Sequence, residues 1–397
     1  MAGLIGVGRG VAGVCGGKAL ISFRITGAHV LRPGGLDEAP VAIAGGLITE
    51  DQVTREVALP GWAVLPGIVD IHGDGFERHL APRRGAVRDL RRGLLAAEAE
   101  LAANGITTAV LAQFWSWEGG MRGPDFALDM LDALAAVRGG FGTDMIAQLR
   151  LETHLVDDFD RVAGAVAQFG VPYLVFNDHL PHAALEAGRK VPRLTGQALK
   201  SGRSPEAHLK MLRALHARGG DVPAAVGALI AGLKARGVRL GSHDDADAGV
   251  RQMWHARGVG ISEFPETDAA VQAAVSAGDP VVMGAPNVLR GGSHAGNASA
   301  RDVVLSGGCT ALASDYHYPA PRLAALQMAE DIGLAAAWDL VSGGPARVLG
   351  LDDRGQIAPG KRADIVVLDP VSGTVGAVIA GGEVRYMAGA VARAFFG

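Results

Sequence analysis

Cysteine is nearly absent from this 397-residue chain, with only Cys15 and Cys309. Two thiols cannot build a disulfide framework, so stability must come from a buried core, and a reducing cytoplasm is the expected compartment. Surplus positive charge is missing too. The formal net charge is −4, which argues against a general nucleic-acid or membrane-surface binder, and neither partner is expected. Any anionic ligand must be held by local basic groups. No run of about 18 apolar residues is free of charge and turn signals, so no transmembrane span is expected. The opening "MAGLIGVGRGVAGVCGGKALISF" lacks a basic start and a continuous apolar stretch, which is not the pattern of a secretory signal. Residues 1–18 read instead as a disordered or extended tail, or as a start assigned too early.

Glycine is abundant, at 58 residues. That is too many for a helical bundle and suits a fold with many tight strand–helix turns. The chain ends read as short strands: "ISFRITGAHVL", "VAIAGGLITE" and "REVALPGWAVL" at one end, "ADIVVLDP" and "TVGAVIAGGEVRYMAG" at the other. Residues 19–63 and 347–397 are therefore expected to form one small composite β-domain, a β-sandwich built from both ends. Between them, residues 64–346 alternate apolar strands with amphipathic helices. Strands are expected at 64–72, 106–113, 146–152, 172–178, 237–242, 259–264, 280–285 and 309–314, and helices include 89–103, 125–137, 159–169, 206–236, 266–276 and 321–335. Eight such repeats point to an α/β fold, a (β/α)8 TIM-like barrel.

In such barrels chemistry sits at the C-terminal ends of the strands. Reactive side chains gather there: His72 and Asp74, Glu152 and His154, Asp178 and His179, His243 with Asp244 and Asp245, Glu263, then Asn287, Arg290 and His294, then Asp315 and His317. A single histidine or carboxylate at a strand end is ordinarily a hydrogen-bonded or capping residue. Seven of eight strand ends carrying them is harder to assign to caps, which would also fall on the opposite face. Imidazoles with carboxylates and no thiolate set suit a divalent metal without choosing among zinc, manganese and iron; zinc is the expected occupant, with manganese or iron as alternatives. A metal pair needs a bridging oxygen ligand, and Glu152, closing an apolar strand, is the candidate. Arg150 is read as facing away from it.

"MGAPNVLRGGSHAGN" (283–297) is a second signal. The Gly291 and Gly292 backbone would let N–H groups approach an anion, with Arg290 and His294 to neutralise it. Arg78 and His79, with Arg83 and Arg84, form another basic group beyond the first strand. Trp115 and Trp117 either wall the pocket mouth or pack beneath a loop.

"GPARVLGLDDRGQIAPGKRADIVVLD" resembles the C-terminal signature of the amidohydrolase superfamily. "LPGIVDIHGD", "NGITTA", "SHDDA", "EFPET", "MGAPNVLRGGSHAGN" and "SDYHYPA" resemble the PhnM family of the carbon–phosphorus lyase pathway. The resemblance implies a cytoplasmic hydrolase that converts α-D-ribose 1-methylphosphonate 5-triphosphate to the 5-phosphate and pyrophosphate. It implies a binuclear metal site on His72, Asp74, Glu152, His179, His243 and Asp315, with Asp315 also handling the proton of the attacking water. Arg78, His79, Arg290, Gly291, Gly292 and His294 are the expected substrate contacts. The "HGDGFERH" stretch, Glu266 within "EFPET" and the longer "SDYHYPA" depart from the usual family pattern around the expected pocket mouth. The alternative is a metal-dependent amidase, deacetylase or deaminase acting on a C–N bond of a small anionic substrate. The expected partner is a small phosphorylated molecule, and the expected assembly a homodimer.

Overall fold

The computed structural model describes residues 22–81, 89–140, 142–292 and 297–397. The tail expected at 1–18, Arg83, Arg84 and His294 lie outside them. At the centre is a barrel of eight parallel strands, each paired with its sequence neighbours. They are β1 (Ile68–Gly73), β2 (Ile106–Trp115), β3 (Asp144–Glu152), β4 (Tyr173–Asn177), β5 (Arg239–His243), β6 (Ile261–Glu263), β7 (Val281–Gly284) and β8 (Ala311–Ala313). Helices connect them, as the alternating pattern requires.

The last strand meets the first through a parallel bridge between Gly73 and Asp315. The Asp315 N–H donates to the His72 carbonyl at 3.0 Å, and the Asp74 N–H donates to the Asp315 carbonyl at 2.8 Å. Below this seam the fully buried Asp70 accepts from the Ser314 N–H at 2.8 Å and from Ser314 Oγ at 2.5 Å. Burial raises the Asp70 pKa, and the two Ser314 hydrogen bonds oppose that rise.

The strand expected at 64–72 is two strands in two sheets. Ala63–Pro66 pairs antiparallel with Ile365–Leu368, and β1 begins only at Ile68. Gly67 makes the transfer possible. A Cβ there would stand 2.2 Å from Thr107 Oγ1 and 2.9 Å from the Asp364 Cβ.

The six-stranded sheet carrying this pair joins His29–Arg32 and Gly35–Asp37 from one chain end to Val375–Ala380 and Glu383–Met387 from the other. Alternate residues face opposite ways along a strand. Leu65, Val366 and Leu368 pack into the barrel's core, whereas Val64, Ile365 and Val367 join a separate core beneath the four-stranded sheet of the N-terminal segment.

Two expectations are revised. The 206–236 helix is two, Pro205–Ala217 and Val222–Lys234, parted around Gly219 and Gly220. The chain does not end in strand: Gly389–Phe396 is a helix whose Val391 and Phe395, four apart, bury one face. The expected boundary at 346 falls inside the helix Gly343–Leu349, whose Ala346, Val348 and Leu349 pack with barrel-interior residues such as Val69 and Val110.

Gly67→Ala is expected to lower stability by about 1–3 kcal/mol, the usual cost of overpacking a core. Urea unfolding checks this, and an unchanged midpoint would contradict the transfer described here.

Candidate metal centre

The interior face of β3 shows how the site is built. Ile146, Gln148, Arg150 and Glu152 alternate with outward-facing Leu149 and Leu151. Ile146 belongs to the apolar barrel interior, and the column turns polar as it rises to the mouth. Arg150 therefore shares a face with Glu152 and does not point away from it, because residues two apart in a strand lie on one side.

His72 is fully buried. The register of β1 against β2 shifts between Asp70 and Gly73, so simple alternation does not carry through this stretch. His72 Nδ1 donates to Glu263 Oε2 at 2.8 Å. The other Glu263 oxygen accepts from Tyr173 Oη at 2.6 Å and Gln148 Nε2 at 2.8 Å. This fixes the ring, and leaves His72 Nε2 buried with no hydrogen-bond partner. The His72 and His243 rings lie 5.3 Å apart, and Phe264 touches both.

His243 Nδ1 is 3.0 Å from Asp244 Oδ2, which lies 3.7 Å from His179 Nε2. His179 Nδ1 is held by Glu152 Oε1 at 2.5 Å. The second Glu152 oxygen accepts from the His179 N–H and from Trp117 Nε1, each at 3.1 Å. Both oxygens of the expected bridging ligand thus meet protein donors, which orient Glu152 and His179 toward each other. Trp117 is part of the site wall, while Trp115 Nε1 donates to Asp158 away from it, at 2.9 Å.

Among the described residues, three of the four non-glycine positions with positive φ stand at this mouth: Asp244 (58°), Phe264 (51°) and Asp315 (55°). Such backbone is disfavoured for residues with a Cβ, and its clustering at strand ends is the pattern of a functional site. The left-handed turn at Asp244 lets its N–H stay paired with the Glu263 carbonyl at 3.0 Å while its carboxylate reaches both histidines.

Arg150 is the cation at the centre. Its Nη2 lies 2.9 Å from His243 Nε2, its Nη1 3.9 Å from Asp74 Oδ2, and its guanidinium stacks on Phe114. Burial and Arg150 together push the His243 pKa down to about 4. Burial acts to lower His179 as well, but Asp244 and Glu152 outweigh it and raise that imidazole to about 10. Burial, with Asp74 beside it, lifts Asp315 to about 6.

Asp74, Glu152, Asp244, Glu263 and Asp315 therefore crowd a half-enclosed space that calls for positive charge. Divalent metal fits it. The donor set is imidazole and carboxylate, and the unpartnered His72 Nε2 is buried among those donors. At this centre donor atoms converge in two groups, His72 with His243 and Glu263, and His179 with His243 and Asp244. Asp244 and Glu263 were outside the expected ligand set. A carboxylate after "SH" and another closing an apolar strand were the signals available for them.

Two of the cavities that reach the centre are rich in arginine. One of about 250 Å³ is lined by Arg150, His243, Asp244, Asn287, Arg290 and Asp315. The other, about 590 Å³, is lined by Asp74, Glu77, Arg78, Arg122 and Tyr316. Arg290 Nη1 donates to Tyr316 Oη at 2.8 Å, linking the two walls.

Two expected contacts have a carboxylate partner in the protein. His79 Nε2 is 2.5 Å from Glu100 Oε2 on the helix Leu90–Ala103, and Arg78 also pairs with Glu100. Of the two, only Arg78 lines the cavity. Gly291 and Gly292 do not form an anion cradle, because their N–H groups donate to Val288 at 3.1 Å and Asn287 at 3.2 Å. They cap the helix Ala285–Arg290, with Gly291 in the left-handed conformation.

A profile described as Amidohydrolase family matches residues 213–386. The α-D-ribose 1-methylphosphonate 5-triphosphate diphosphatase of Escherichia coli (strain K12) is 32% identical over 318 residues, spanning 77% of this chain and 83% of that protein. Among solved structures, molinate hydrolase aligns with a TM-score of 0.63 at 14% identity, over 91% of this chain and 94% of its own. The 5-methylcytosine deaminase from Klebsiella pneumoniae aligns with a TM-score of 0.60 at 14% identity, over 92% and 98%. At such identities the two structures establish the fold alone.

Replacing the carboxylate that orients a ligating histidine typically weakens metal binding about 10–100-fold. Glu263→Gln is expected to do so here, read by zinc titration against a competing chelator. Unchanged affinity would remove His72 from the ligand set.

Proposed function

The chain belongs to the PhnM family of the amidohydrolase superfamily, and from that membership we propose that it hydrolyses α-D-ribose 1-methylphosphonate 5-triphosphate to the 5-phosphate and pyrophosphate. The observation that carries the reading is the set of guanidinium groups around the carboxylate-rich centre. Arg150 and Arg290 line one cavity, and Arg78 and Arg122 the other. In a chain of net charge −4, four arginines around one mouth match a polyanion. A small C–N substrate with a single anionic group would engage fewer of them. Guanidinium also suits phosphate better than ammonium does, because its planar fork donates to two oxygens at once.

His72, Asp74, Glu152, His179, His243 and Asp315, with Asp244 beside them, would hold a metal pair, which would lower the pKa of water toward neutrality and offset phosphate charge. The chain's own groups do the rest. Arg150, packed on Phe114 and inside the barrel mouth, is pre-aimed and loses little freedom when phosphate arrives. Arg290 and Arg78 hold the outer phosphates. Asp315, fixed by its backbone pairing to β1, takes the proton of the attacking water. The water oxygen joins the phosphorus nearest the ribose, the bond to the next phosphate's oxygen breaks, and pyrophosphate departs.

The direct test offers the metal-reconstituted protein the ribosyl triphosphate, beside N-acyl substrates and cytosine, and measures pyrophosphate and amine or ammonia. Turnover of the C–N substrates alone would replace this reading with the amidohydrolase alternative. Chelation is expected to abolish pyrophosphate release and added Zn2+ or Mn2+ to restore it. Arg150→Ala is expected to cut kcat/KM about 10²–10³-fold, the usual effect of removing a charge-stabilising donor. Asp315→Asn is expected to lower kcat about 10²–10⁴-fold. Full turnover in either variant would contradict the role given to that residue.

A further inference from the structure

Four side chains outside the proposed hydrolytic set meet beside β4. His154 lies two residues past β3, and Asp178 directly follows β4. His182 opens the helix His182–Glu186, and His216 lies in the last turn of Pro205–Ala217. His182 Nε2 stands 3.1 Å from each Asp178 oxygen. His154 Nδ1 stands 3.6 Å from Asp178 Oδ1, and 3.3 Å from Thr153 Oγ1. One donor atom from each of His154, Asp178 and His182 lies within 4.8 Å of the others.

We propose that His154, Asp178 and His182 form an additional site for one divalent transition-metal ion of the zinc class, separate from the hydrolytic centre.

Three observations support it. Ligand bonds of about 2.0–2.2 Å in tetrahedral geometry place donor atoms roughly 3.3–3.5 Å apart. The separations of 3.1 and 3.6 Å bracket that spacing, and the longer one is beyond hydrogen-bond reach. His216 supplies the outer partner such a site requires. Its Nδ1 is 2.8 Å from His182 Nδ1; in the tautomer where His182 Nδ1 donates to it, the His182 Nε2 lone pair is turned toward Asp178, and a cation between them satisfies both. Finally, the three residues line a cavity of about 370 Å³ together with Asn177. Asn177 is 2% exposed, and both its amide nitrogen and its amide oxygen lack a hydrogen-bond partner. Three protein ligands and a cavity at the fourth position make an open site, ready for water or an anionic oxygen. The same cavity reaches His243 and Asp244, so an ion here stands on the approach to the hydrolytic centre. None of this depends on which substrate that centre takes.

The test titrates metal-free full-length protein with Zn2+ alone and counts bound ions per chain by equilibrium dialysis with mass-spectrometric metal analysis. Wild type is expected to bind one ion more than His182→Ala or His154→Ala. His216→Ala is expected to keep the site with about 10–100-fold weaker affinity. Zinc-edge anomalous diffraction from wild-type crystals is expected to show a peak between the three side chains, and this needs no variant to fold. Equal stoichiometry in wild type and folded His182→Ala, or an anomalous map with no peak there, overturns the proposal. It would leave His182 Nε2–H as a plain hydrogen-bond donor to Asp178.

Discussion

The structure depends on how its barrel closes. The first and last strands meet through two main-chain hydrogen bonds, and the residues making them are His72, Asp74 and Asp315. The seam that completes the fold is therefore the floor of the site. A barrel needs its strands in register for its interior to fill with side chains. Here that register also fixes the positions of two carboxylates and an imidazole. Asp70 and Ser314 reinforce the seam one layer down. Carboxylates close to each other repel, and Asp315 shows it in a pKa lifted to about 6 by burial with Asp74 beside it. Closing the barrel thus stores a demand for positive charge at its mouth, which Arg150 answers in part and bound metal answers further.

That demand organises the surroundings. Each histidine near the centre has one ring nitrogen engaged by a carboxylate: His72 by Glu263, His179 by Glu152, His243 by Asp244. Such partners set the tautomer and hold the ring, so that the remaining nitrogen is presented in a fixed direction. Tyr173 and Gln148 in turn anchor Glu263. The site is rigid because its supports are buried strand residues.

Much of this was legible in the sequence, for a physical reason. Strand ends in a barrel share one rim, so polar residues that close apolar runs must converge, whatever their separation in the chain. What was hidden falls into two kinds. Some features are ambiguous in one dimension: "APNVLRGG" suits an anion-binding loop and a capped helix equally, and only the paired N–H groups of Gly291 and Gly292 decide. Others depend on distant partners. His79 next to a basic run looks like a substrate contact until Glu100, on the following helix, is seen to hold it. The division of residues 64–72 between two sheets turns on the space Gly67 leaves beside Thr107 and Asp364, which no local pattern reveals. Arg150 was different. The alternation "QLRLE" stated its direction plainly, and it belongs with Glu152 on the interior face.

The central claim is that this carboxylate and arginine mouth directs water to the phosphorus nearest the ribose. Turnover of the ribosyl 5-triphosphate in 18O-water, followed by 31P NMR, tests it most directly. The account predicts one 18O in the ribosyl 5-phosphate and none in pyrophosphate. Label in the pyrophosphate, or release of orthophosphate in its place, would contradict it.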